Sequence, residues 1–264
     1  MLQRPYNFRL NPYSPLANGL VFAGLGALPG TTHYHDSSLH GNDGTLTNMD
    51  PATDWTWVPE LGRRGVSIKE QGDYVAAPSI QLGSGDFTVS VWALKRAEAD
   101  LAPVIISCGD TGSDEWMLRC YQADLQIYSG GGISSLGVDD SFVDDTWLHC
   151  CAVRSGANAY VYLDAVLKDT DVSASVNLNS TKAIQIGGGD SDPNRWLVGM
   201  IADPMIYVDR ALTLPEIQAL ADPSNAMLSG LLLPPRRVWW PVSGGATAES
   251  AWGSIFSTSI ISAS

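Results

Sequence analysis

Apolar and polar positions along this chain alternate with a period of two more often than they recur at helical spacing, and the alternating runs are short. The segment "DFTVSVWAL", 86–94, places Phe87, Val89, Val91 and Ala93 on one face of a strand and Thr88, Ser90 and Trp92 on the other. "DYVAAP" at 73–78, "APVIISCG", "EWMLRCYQ" and "DLQIYSG" read as further strands. "TWLHCCAVRS" and "AYVYLDAVLKD" read as a hairpin closed near Ser155–Asn158, and "KAIQIGGG" and "RWLVGMIADPMIYVDRAL" complete the set. Turn residues interrupt these runs roughly every ten residues, the spacing of a sandwich or barrel. Only "TLPEIQALAD", 213–222, has helical character: Thr213 stands at the cap, Pro215 in the first turn and Glu216 in its favoured acidic region.

The pattern divides the chain into an arm, a domain and a tail. Residues 1–16 are rich in Pro and Asn and read as an arm, and the alternating domain spans 17–222. From 223 to 264 the alternation breaks. This tail carries Pro234-Pro235, the basic pair Arg236-Arg237, the pair Trp239-Trp240, a Gly/Ala/Ser stretch and an apolar end, "SIFSTSIIS". Such apolar residues are expected to pack back on the domain or to pair with a neighbouring chain.

Composition narrows the function classes. The chain of 264 residues is 45% hydrophobic and 16% charged, which is globular. Its formal net charge of −13 repels phosphate backbones, which argues against nucleic acid as a partner. Of the 28 acids, 22 are Asp, the acid of turns and loop ligands. No run approaches the ~18 apolar residues of a membrane span, and the opening "MLQRPYNFRLNPYSPL" lacks the apolar core of a signal peptide. Cytosolic synthesis would keep Cys108, Cys120, Cys150 and Cys151 as buried free thiols. Cys150 and Cys151 face opposite sides of a strand, and a Cys108–Cys120 bridge stays open as the alternative.

Taken in order, "DFTVSVWAL", "VIISCGD", "TWLHCCAVRSGANAYVYLDAVL", "IQIGGGD" and "RWLVGMIADPMIYVDRALTLPEIQALAD" resemble the laminin-G-like, concanavalin A-like jelly-roll family. The resemblance covers roughly 17–222 and implies an all-β sandwich of two antiparallel sheets, with one short helix and extended terminal arms. The stretch "DSSLHGNDGTL" occupies the place of the family's Asx- and Gly-rich opening loop. In members with a calcium site that loop joins an acid from the closing signature. The ligands so implied are Asp36, Asn42, the carbonyl of Gly44 and Asp203. The alternative is an Asx-rich turn with no metal and no cofactor. Two departures favour the turn: Ala202 stands where the family has its acid, and Leu39-His40 replace Gly-Asn. A slip of one residue turns Asp203 to the other sheet face unless a bulge or Pro204 corrects it. Ala165 also replaces the usual hairpin glycine.

Catalytic patterns are missing. Glucanases of this shape need two carboxylates about 5–5.5 Å apart, as in E-x-D-x-x-E, and no strand here shows that pattern. Asp139-Asp140 and Asp144-Asp145 read as loop acids. His33 and His35 share a face with Asp36 nearby, but no third ligand follows at a recognised zinc spacing. His149 reads as a strand residue. For binding, Trp55, Trp57, Trp116 and Trp196 are the candidates for stacking on a sugar, with packing as the alternative.

Two non-enzymatic functions follow. The resemblance, the arm and the tail suggest a structural protein of a virus particle: a bacteriophage capsid decoration, head-fibre or tail-associated protein. It would be made in the host cytoplasm and assemble with itself and other virion proteins through Pro234, Arg236, Arg237, Trp239 and Trp240. The second is a lectin-like module that binds glycans, with or without calcium. A virion-surface lectin would combine them.

Overall fold

A computed structural model describes residues 8–25, 29–96, 102–109, 112–121, 123–136, 142–172, 174–188, 195–225 and 228–233. Two eight-stranded antiparallel sheets build it. The first runs Ile133–Leu136, Asp124–Ser129, Trp116–Tyr121, Val104–Cys108, Ile184–Ile186, Tyr74–Ala77, Gly44–Thr47, His33–Tyr34. The second runs Val166–Asp171, Asn158–Leu163, Leu148–Ser155, Phe87–Lys95, Gly199–Val208, Arg63–Ile68, Trp55–Val58, with Leu20–Ala23 also paired to Gly199–Val208.

The alternation in 86–94 predicts the outcome. Phe87, Val89, Val91 and Ala93 enter the core between the sheets with Ile106, Leu118, Ile127, Val161 and Ile186. Thr88, Ser90 and Trp92 take the outer face, yet all three are buried. A second apolar layer covers that face: Leu16, Leu20, Leu212, Ile217, Leu220, Leu228, Leu231 and Leu232 pack against Cys151, Val153, Met205 and Tyr207. This part of the second sheet is therefore buried on both faces, which simple alternation does not anticipate.

The hairpin pairs Leu148–Ser155 with Asn158–Leu163 in the expected register, Ser155 opposite Asn158. The helix spans Leu214–Leu220, and the Thr213 backbone N–H donates to Glu216 Oε2 at 2.9 Å. Glu216 also pairs with Arg210, whose guanidinium donates to Pro15 O. The cap thus ties the helix to the chain's beginning. Arg9–Leu10 and Leu232–Leu233 form a two-stranded ladder, so described parts of the arm and of the segment after the helix meet each other. Residues 234–264, including the predicted assembly residues Pro234, Arg236, Arg237, Trp239 and Trp240, lie outside the described residues.

All four cysteines are free and buried, and no Cys108–Cys120 bridge forms. Cys150 faces the core and Cys151 the outer layer. Burial pushes both thiols well above the usual range.

Candidate functional site

The loop Asp36–Gly44 is built around one buried carboxylate. Asp36 Oδ1 accepts from the backbone N–H of Ala23 (2.9 Å) and of Ser38 (2.8 Å). Its Oδ2 accepts from Ser38 Oγ (2.7 Å) and from the Asn42 N–H (2.8 Å). The Asn42 amide donates to Val21 O at 2.7 Å, and Gly44 lies in a strand opposite Tyr34. Asp203, 1% exposed, forms an ion pair with the equally buried Arg63. These residues do not fit the implied calcium: a cation would have to displace four donors from Asp36 and the guanidinium from Asp203. Asp36 is the hub of an Asx-rich turn, and Asp203 is a counter-ion.

The slip at Asp203 is resolved by a bulge. Ala202 pairs with Trp92 and Met205 with Ser90, so Asp203 and Pro204 together oppose Val91. Asp203 has φ +50°, and alternation resumes with Ile206 in the core.

The tryptophans divide. Trp116 is wholly buried and Trp55 is 7% exposed, its indole donating to Thr31 O at 3.1 Å. These two are core residues, which removes them as glycan contacts. Trp57 is 37% exposed on a sheet-edge strand, and Trp196 is partly exposed against Tyr74, ring centroids 5.5 Å apart. Neither Trp57 nor Trp196 lines the cavity beside Trp92.

A different tryptophan pair lines a cavity of about 560 Å³ on the outer face of the second sheet. Trp92, Leu94 and Leu61 line it with the part-exposed Trp147, and Glu60, Asp145, Thr146 and Asp164 add polar groups. Its lining also includes Ala221 and Pro223, just past the helix. Each part is held. His149 pairs with Trp92 and Leu148 with Ala93, which sets Trp147 on the same outer face, diagonal to Trp92. The Trp92 indole donates to Leu220 O (3.1 Å), and Arg63 donates to Pro223 O (3.2 Å). Asp164 Oδ1 accepts the His149 N–H (2.8 Å), while the Asp164 N–H donates to His149 O (2.9 Å). The Asp145 N–H donates to Lys95 O at 2.7 Å.

Both aspartates adopt left-handed backbone conformations, φ +55° at Asp145 and φ +50° at Asp164. Such backbone carries strain that the surrounding structure must hold. Glu60, Asp145 and Asp164 are exposed. Neither Glu60 nor Asp145 forms an ion pair among the described residues, whereas Asp144 is neutralised by Lys95. The cavity thus joins an indole-rich wall to carboxylate acceptors. Alternation puts Trp92 on the face opposite Phe87, Val89, Val91 and Ala93 but has no means to join it to Trp147, 55 residues away; only the register does that.

Behind Trp92 lies a buried polar group. His149 meets Trp92 edge to face, ring centroids 5.3 Å apart, and its Nε2 shares a 2.9 Å hydrogen bond with Ser90 Oγ. Burial, reinforced by the nearby Arg63 charge, pushes the imidazole down to about 3, so it is neutral at physiological pH.

Comparison with known proteins gives a consistent fold. The family model for the concanavalin A-like lectin/glucanases superfamily matches residues 69–218. None of the curated proteins compared matches the chain. Among solved structures, the binding domain of Paraclostridial mosquitocidal protein 1 is 16% identical with a TM-score of 0.59, over 76% of this chain and 51% of that one. Domain 4 of AbnA, an extracellular arabinanase from Geobacillus stearothermophilus in complex with arabinotriose, is 15% identical with a TM-score of 0.59, over 77% of this chain and 98% of that domain. Trypanosoma rangeli sialidase is 16% identical with a TM-score of 0.57, over 80% of this chain. The chain spans about half of the mosquitocidal structure and 33% of the sialidase. At these identities the likeness is one of fold.

Proposed function

This chain belongs to the concanavalin A-like lectin/glucanases superfamily, and on that premise we propose that it binds carbohydrate, without cleaving it, in the Trp92–Trp147 pocket. The pocket itself carries the reading. A pyranose offers an apolar C–H face and a rim of hydroxyls. Trp147 supplies a part-exposed indole for the face, and Glu60, Asp145 and Asp164 supply acceptors for the rim. The volume of about 560 Å³ suits a short oligosaccharide segment rather than a single small metabolite. The arabinotriose bound by the arabinanase domain supports the class of ligand, since that domain shares this fold. The absence of an E-x-D-x-x-E strand pattern from the sequence supports binding over hydrolysis.

The test is a panel of neutral and acidic oligosaccharides titrated against the wild type and Trp147→Ala. The wild type is expected to bind at least one neutral oligosaccharide, and the variant to lose about 1.4–2.8 kcal/mol, or roughly ten- to a hundredfold in affinity. Undiminished binding by Trp147→Ala would place the glycan elsewhere.

A second reading is that this domain serves as a structural component of a virus particle, presenting the pocket outward. It rests on the ladder between Arg9–Leu10 and Leu232–Leu233, which joins the described parts of the arm and of the post-helix segment, and on the Pro-, Arg- and Trp-rich sequence of 234–240. Light scattering of the full chain against residues 1–233 tests it. An oligomer that becomes a monomer on truncation supports assembly through the tail; an unchanged mass in both removes that support.

A further inference from the structure

We propose that His33, His35 and Asp43 form a binding site for a late first-row divalent transition metal, with zinc as the reference ion. The site is a product of strand register. His33–Tyr34 is an edge strand, and its partner positions sum to a constant: His33 opposite Thr45, Tyr34 opposite Gly44. The same register sets His35 opposite Asp43 and leaves His33 diagonal to it, the two arrangements in which cross-strand side chains meet. Tyr34 points inward and is 2% exposed, so both imidazoles project to solvent.

The donor atoms already stand near ligand geometry. His35 Nδ1 lies 3.1 Å from Asp43 Oδ1, and His33 Nε2 lies 3.4 Å from Asp43 Oδ2. The candidate ligand atoms all fall within 4.8 Å of one another. Zinc bonds of about 2.0–2.2 Å in a tetrahedron put neighbouring ligand atoms about 3.4 Å apart, so two of the contacts need little change. Both imidazoles are about half exposed and free to close the third. Asp43 is pre-set: its Oδ1 also accepts the Asp36 N–H at 2.7 Å, which orients the carboxylate from behind.

Two imidazoles and one carboxylate are donors for zinc, nickel, cobalt or copper, not for calcium or magnesium, which select oxygen. Three protein ligands leave the remaining position to water or to an incoming ligand. The ion would bridge the edge strand to the loop that Asp36 organises. Neighbours in sequence mislead here: Asp36 lies beside His35 but turns inward, and the third ligand comes from across the turn.

The experiment is calorimetric titration of the full-length, chelator-treated protein with zinc chloride, alongside His33→Asn, His35→Asn, Asp43→Asn and the control His40→Asn. The proposal expects saturable binding at one zinc per chain in the wild type and in His40→Asn, and at least about a tenfold loss of affinity in each of the other three. Cobalt gives a second readout, a visible absorption band present in the wild type and lost in the three variants. Zinc-free melting temperatures, expected to match the wild type because these side chains are exposed, separate ligand loss from misfolding. No saturable wild-type binding, or binding and cobalt absorption that survive all three substitutions, would overturn the proposal.

Discussion

Three buried residues, Arg63, Asp203 and His149, set measurable costs. Arg63 and Asp203 are each 1% exposed and neutralise one another. Removing one leaves the other charged and buried, so Asp203→Ala is expected to cost about 3–5 kcal/mol in urea unfolding. Because Asp203 serves as a counter-ion, calcium added to the wild type is expected to leave its melting temperature unchanged; a calcium-dependent rise would restore the ligand role. His149 gives a pH dependence whose sign is fixed by burial. Its folded value of about 3 lies below the unfolded 6.5, so between these values the unfolded chain binds one more proton. The stabilising difference is present above pH 6.5 and is lost as pH falls toward 3, at about 1.4 kcal/mol per unit. Denaturant titrations at pH 6.5 and 4.5 should therefore differ by roughly 2 kcal/mol from this group, and His149→Gln should remove that part. An equal slope in the variant would assign the acid sensitivity to other groups.

At the scale of elements, the sequence showed most of the sandwich. Period-two alternation found the long strands, the hairpin register at Ser155–Asn158 and the faces of Phe87–Lys95, because side-chain direction in a strand follows position alone. The helix was legible from Thr213, Pro215 and Glu216. The segment after the helix reads differently in structure. Leu228, Leu231 and Leu232 look like the start of a tail, yet they are at most 2% exposed against the outer layer. Alternation records that a residue is apolar, not which distant surface it will cover. A fragment ending at 222 would lose these three buried leucines, a cost of about 5 kcal/mol or more at roughly 2 kcal/mol each. It is expected to melt at lower temperature than residues 1–233 and to bind hydrophobic dyes. Equal melting of the two fragments would show that the segment adds nothing to the fold.

For the whole molecule, the fold is that of the concanavalin A-like lectin/glucanases superfamily, and the chemistry lies in what this chain places on it. The candidate site was only partly legible. Asp36 and Asn42 were found as a loop but not as a self-satisfied hydrogen-bond hub, since a sequence does not show which donors reach a carboxylate. Trp55 and Trp116 were candidates by residue type and proved to be core. Trp92 and Trp147, with Glu60, Asp145 and Asp164, come from four separate stretches and meet only through the sheet. The central claim is that this meeting point takes a glycan. It is tested most directly by following the indole N–H signals of the nine tryptophans by NMR while an oligosaccharide that binds is titrated. The account predicts that the Trp147 signal shifts with saturation while Trp55 and Trp116 stay fixed. A saturating shift confined to Trp57 or Trp196, with Trp147 unmoved, would contradict it.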